Sequence, residues 1–132
     1  MDKIKLPLLK EYTDEMNDQI ADAILDVRLK KIRETLGVKA KEYMRNGDRL
    51  YNFNRGALIT QQSREAYLLK GLAMKQIVSC IDIVDDLENN KLASDAMIEE
   101  KIGDVINYMI LLEMCLKQRN FVKEKTLFDE QK

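Results

Sequence analysis

The sequence predicts an all-α fold: an antiparallel bundle of three long helices with an N-terminal arm and a short C-terminal helix or tail. Three observations predict it. The 132 residues hold one Pro and five Gly against 45% hydrophobic and 34% charged residues, a composition poor in helix breakers. Apolar residues recur at helical spacing along three long segments. Short turn signals, Asn46-Gly47-Asp48 and Glu88-Asn89-Asn90, separate those segments, as in an up-and-down bundle.

A chain of this length is one domain, residues 1–132, with room for a sizeable core. Its 22 basic and 23 acidic residues give a net charge of −1 and are spread along the chain. There is no basic block to track a phosphate backbone, so duplex nucleic acid is excluded as a partner. No apolar run approaches the roughly 20 residues that span a membrane. Met1-Asp2-Lys3-Ile4-Lys5-Leu6 lacks the apolar core of a secretory signal. Cys80 and Cys115 both fall on apolar helix faces and read as buried free thiols, which fits a reducing cytoplasm. The chain has no histidine, which removes the commonest general base and the usual zinc ligand together.

Residues 1–12 carry the only proline, Pro7, among Ile4, Leu6, Leu8 and Leu9, and read as an extended arm. Thr13 or Asp14 caps a first helix with acids in its opening turn. From about Glu15 to Arg45, Ala21, Leu25, Leu29, Ile32, Leu36, Ala40 and Tyr43 keep one face. Gly37-Val38 bends or breaks it, because Gly costs about 1 kcal/mol relative to Ala inside a helix. The segment Asp48–Gly56 has no clear period and reads as irregular, with a short helical turn at Ala57-Leu58-Ile59.

Ser63 caps a second helix, from about Arg64 to Leu87, with an apolar face of Leu69, Leu72, Ala73, Ile77, Cys80, Ile83, Val84 and Leu87. Gln76 and Glu65 interrupt that face, whereas Lys75, Asp82 and Asp86 lie on the solvated side. Ser94 caps a third helix, which runs to about Lys117. The charged tail, residues 118–132, reads as a short docked helix or a frayed end. Three helices with several wholly apolar faces leave a surplus for a dimer or tetramer to bury.

The third helix carries acids where a core helix should not. At about 100° per residue, Ile102, Val105, Ile106, Met109, Leu112 and Leu116 form one apolar stripe. Glu100, Asp104 and Asn107 share a narrow arc opposite it, and Leu111, Met114 and Cys115 continue that arc. The acids therefore begin on a face that runs into protein. Buried carboxylates need a cationic partner: a metal, an Arg or Lys, or a ligand. Glu100 and Asp104 project one turn apart, which suits Mg2+ held with substrate phosphate oxygens. Acids favouring a helix N-terminus account for Glu99 and Glu100 equally well, but not for Asp104.

Other candidates surround this arc. Gln76 reads either as a core amide bonded across the bundle or as a group facing the acids. Asn107 and Tyr108 offer an amide and a hydroxyl. Arg49 and Arg55 flank Tyr51, Asn52 and Phe53; arginine forks fit phosphate, rings stack on bases, and amides read base edges. The plainer alternative is an ordinary helix connection.

Four strings in order carry a resemblance: Lys41-Glu42-Tyr43, Gly47-Asp48-Arg49-Leu50-Tyr51-Asn52-Phe53, Lys75-Gln76-Ile77-Val78-Ser79 and Glu100-Lys101-Ile102-Gly103-Asp104-Val105-Ile106-Asn107-Tyr108. Over residues 40–116 the chain resembles small phage and prophage proteins related to the nucleotide-modification-associated domain. More distantly it resembles the MazG-like all-alpha nucleoside triphosphate pyrophosphohydrolases. The resemblance implies a cytoplasmic protein of a bacterial host and a nucleotide ligand. It implies Glu100 and Asp104 as catalytic Mg2+ ligands and Arg49 or Arg55 as a phosphate clamp. Asn52 and Phe53 would then hold base or sugar, with Lys75, Gln76, Asn107 and Tyr108 completing the pocket. Two departures accompany it: the Glu-Glu-x-x-Glu acidic motif is absent, and Gln76 stands where the phage proteins often carry His. Three functions follow from these readings: a Mg2+-dependent pyrophosphohydrolase, a non-catalytic module that binds or sequesters a nucleotide, and a purely structural helical oligomer.

Overall fold

Three helices begin at hydroxyl caps, which satisfy backbone donors that the first turn leaves unpaired. Thr13 Oγ1 accepts from the Met16 amide at 3.1 Å, Ser63 Oγ from Ala66 at 3.0 Å and Ser94 Oγ from Met97 at 3.2 Å. The computed structural model describes residues 13–42 and 44–130, with Lys39, Glu42 and residues 125–130 described by backbone alone. The predicted arm, Tyr43 and the side chains of Leu127 and Phe128 lie outside the described residues.

The described chain is helical, with no strand among the described residues. α1 (Asp14–Ile32) passes into a π-helical stretch, π1 (Arg33–Lys39), and ends in α2 (Ala40–Glu42). The helix is thus widened around Gly37 rather than broken there. Asn46 and Gly47 both take positive φ, 55° and 73°, and close a tight turn in which the Asp48 amide donates to the Arg45 carbonyl at 2.9 Å.

The stretch expected to be irregular is instead α3 (Tyr51–Ile59). Asp48 starts it. One carboxylate oxygen accepts from the Leu50 amide and the other from Asn54 Nδ2, both at 2.9 Å. The buried or half-buried Leu50, Phe53 and Ala57 keep helical spacing, a period too short to stand out among the polar residues between them.

Ser63 opens a run made of α4 (Arg64–Ala66), π2 (Tyr67–Ala73) and α5 (Met74–Glu88). α6 (Asp95–Glu130) spans 36 residues, so the predicted tail continues the third helix instead of docking separately. Neither Gly nor Pro follows Gly103, and Lys117 pairs with Glu113 one turn back at 3.1 Å. The α4–α5 run and α6 are antiparallel. Arg119 Nη2 donates to Glu65 Oε2 at 2.9 Å, Arg64 donates to Gln118 at 2.9 Å, and residues 89–94 join the opposite ends.

The core is small and off-centre. Leu50, Leu68, Leu111 and Cys115 are buried, with Leu36, Phe53, Leu72, Tyr108 and Met114 packed against them. The arc of α6 that carries Asp104 and Asn107 is therefore the one that enters the core, as its Leu111 and Cys115 foreshadow. The broad stripe opposite is less covered, and Ile102 and Leu116 are 43% and 49% exposed. α1 has no buried residue at all. No described helix is long and apolar enough to cross a membrane.

Candidate functional site

A cavity of about 270 Å³ lies where π1, α3 and α6 meet. Helical spacing selects its walls. Thr35, Leu36 and Ala40 come from the first helical run, Leu50, Asn52 and Phe53 from the start of α3, and Asp104, Asn107, Tyr108, Leu111 and Met114 from successive turns of α6. Arg49, exposed, stands at its rim. π-helical turns re-aim side chains by one position and recur at functional sites; here one brings Thr35 and Leu36 to the wall.

Six of the ten residues singled out from sequence share this cavity: Arg49, Asn52, Phe53, Asp104, Asn107 and Tyr108. The other four do not line it. Arg55 and Lys75 are exposed. Gln76 is half-buried on α5, and its Oε1 is buried with no hydrogen-bond partner among the described residues. The Glu100 side chain is 66% exposed and lies 4.0 Å from Lys101 Nζ. Of the acids that could supply the charge of the absent acidic motif, Asp48 is engaged by Leu50 and Asn54 and Glu65 by Arg119 and Arg64, while the Glu42 side chain lies outside the described residues.

Two polar side chains of the cavity wall make no hydrogen bond to a described residue. Asn107 Oδ1 is fully buried without a hydrogen bond, which costs about 1–3 kcal/mol for such a group. Asp104 is half-buried, with no ion pair or hydrogen bond to a described residue. Burial pushes the Tyr108 hydroxyl up from its ordinary pKa, and the charges of Asp104 and Tyr67 push the same way. Tyr108 thus stays protonated at neutral pH and can both donate and accept. The cavity wall sets two aromatic rings, the amides of Asn52 and Asn107, the hydroxyls of Thr35 and Tyr108 and the Asp104 carboxylate among apolar side chains, with the Arg49 guanidinium at the rim.

The donor set bears on the implied magnesium. Mg2+ takes one or two carboxylates plus phosphate oxygens and water, and the resemblance drawn from the sequence would have it held by acids from two helices. Among the described residues Asp104 is the one carboxylate on the cavity wall, and no three His, Cys, Asp or Glu side chains converge. That set does not match a two-helix acidic centre.

The apolar lining was the part that sequence reasoning missed. Leu36 and Ala40 were visible as one helical face, but nothing in the pattern said that this face would meet Asn107 and Leu111. No family model, curated protein or solved structure matches the chain.

Proposed function

We propose that the protein binds a nucleotide, with its base in the cavity and its phosphates at the rim beside Arg49. The observation that carries this reading is Asn107, a residue of the same cavity wall as Phe53 and Tyr108, whose Oδ1 is buried without a hydrogen-bond partner among the described residues. A buried acceptor without a partner is costly, and a base edge with a ring N–H or amino group would satisfy it while its faces meet the rings. The cavity volume lies just under the roughly 300–1,000 Å³ of sites that enclose whole drug-sized ligands. It takes a base and part of a sugar and leaves phosphates to the exposed arginine.

A non-catalytic module is favoured over a hydrolase because Asp104 is the one carboxylate on the wall among the described residues. The Mg2+-dependent pyrophosphohydrolase is the second reading, supported by the free Asp104 carboxylate and by the resemblance of Glu100–Tyr108 to the all-alpha pyrophosphohydrolases. In either case the reading takes the protein as a homo-oligomer in the cytoplasm of a bacterial host. Two free thiols and large exposed apolar side chains on α1 and α5 support that.

The test is a thermal-shift and calorimetric panel of nucleosides, nucleoside mono- and triphosphates in EDTA, then with Mg2+. A ligand at a hundredfold over its Kd adds about 2.7 kcal/mol of stability, and the expected outcome is such a shift in EDTA, lost in Asn107→Leu. Pyrophosphate release with Mg2+, abolished in Asp104→Ala, would favour the hydrolase. No shift and no release from any nucleotide would refute both.

A further inference from the structure

We propose that a second copy of this chain docks the outer face of its α1 on the C-terminal part of α6, so that two copies exchange equivalent contacts. This inference is independent of the ligand.

The first observation is a helix, α1, that buries none of its residues. From Asp14 to Val27 the chain carries Asp14, Glu15, Asp18, Asp22 and Asp26 and no basic residue. The inner side of α1, with Ile24 and Val27, borders Glu99 of its own chain. The outer side sets Leu25 and Leu29 among Asp18 and Asp22 at one-turn spacing. Leu25 and Leu29 are 57% and 60% exposed. An acidic helix that buries no residue and exposes two leucines one turn apart on its outer side offers a surface for a partner to cover.

The second observation is a groove of matching character. Beside α6, a depression is walled by Arg64, Lys117, Arg119 and Lys123, with Met114 and Phe121 as its apolar floor. Phe121 is 68% exposed. Glu65 pairs with both Arg119 and Arg64, and Glu113 pairs with Lys117; among the described residues no acid lines the groove itself, so four basic groups stand against two acids. The span from Met114 to Lys123 is about 14 Å of helix and that from Asp18 to Leu29 about 16 Å, so the two faces match in length as well as in charge.

The contact is intermolecular by geometry. Arg28 is fixed at the start of α6, its Nη2 donating to the Glu99 carbonyl at 3.2 Å. From there α1 and α6 advance in the same direction, since Leu36 and Ala40 reach the cavity beside Asn107 and Leu111. Residues before Arg28 therefore recede from Phe121, which lies about 27 Å beyond Gly103 along α6. A chain cannot seat α1 in its own groove. Two copies related by a two-fold axis satisfy both faces at once.

Charge exchange tests this directly by sedimentation of the full chain, with circular dichroism confirming that each variant is helical. Wild type is expected to be a dimer whose Kd rises with salt. Asp18→Lys with Asp22→Lys, and separately Lys117→Glu with Lys123→Glu, should each weaken self-association at least tenfold. Mixing the two variants should restore a dimer, because each acidic face then meets a basic one across the interface. A wild-type monomer, a dimer indifferent to both charge reversals, or a mixture that stays monomeric would overturn the proposal.

Discussion

The ring of Tyr67, the first residue of π2, occupies the space where a Cβ on Gly56 of α3 would sit. This close approach lets α3 lie down on the α4–π2 turn and bury Ala57. Gly56→Ala is expected to drive into Cζ and the hydroxyl of Tyr67 and to cost about 1–3 kcal/mol, as overpacking does. A Cβ at Gly71, on the other side of the same ring, would meet Tyr67 at an ordinary 3.5 Å. Gly71→Ala should therefore be neutral or stabilising by up to about 1 kcal/mol. Urea unfolding of the two variants, with opposite signs expected, checks the relationship.

Asn107→Leu should separate stability from function. Replacing a buried acceptor without a partner by an apolar group of similar shape removes an unpaid desolvation cost. The variant is expected to melt higher than wild type by roughly 1 kcal/mol of stability, while nucleotide-induced shifts disappear. Gln76→Leu, with its own unpartnered Oε1 outside the cavity, should gain similar stability and keep the ligand shift. Melting curves of both, with and without nucleotide, decide it.

The Glu65–Arg119 pair ties α4 to the distal part of α6. The hydrogen bonds from Arg119 hold the Glu65 carboxyl below its ordinary pKa, outweighing the opposing effect of burial. A carboxyl whose folded pKa is depressed contributes stability that is present above its unfolded pKa and is lost as pH falls through the lower folded value. Wild type should exceed Glu65→Gln in stability at pH 7 by no more than about 1 kcal/mol, because Arg119 is largely solvated. The difference should vanish below the usual carboxylate range. Equal pH dependence in the two proteins would show that the pair contributes nothing.

The two thiols should differ in reactivity. Cys115 is fully buried, and burial pushes its thiol pKa up, with the neighbouring Arg64 opposing. Cys80 is half-buried. Alkylation of the native protein is expected to label Cys80 first and to reach Cys115 only on unfolding, since reaction requires an accessible thiolate. Peptide mapping after a timed iodoacetamide pulse reads the order.

The hydroxyl-capped starts of α1, α4 and α6, the hairpin of the second and third helices, and the arc of α6 that enters the core were legible in the chain, whereas α3 was not. Each depends on residues close in sequence: a hydroxyl three positions before the amide it caps, a breaker-poor run, apolar groups at one-turn intervals. Sequence by itself thus determined that this is an all-helical protein and that Asp104 and Asn107 point inward with Leu111. It could not separate Glu100 from Asp104. The two are one turn apart on the same face, and only the position at which π1 and α3 cross α6 leaves Glu100 in solvent and Asp104 on the cavity wall. The partners of Glu65, the closeness of Tyr67 to Gly56 and the meeting of Leu36 with Asn107 were decided by tertiary structure alone. They join residues far apart in the chain, and the spacing that shapes one helix carries no term for which neighbour covers it.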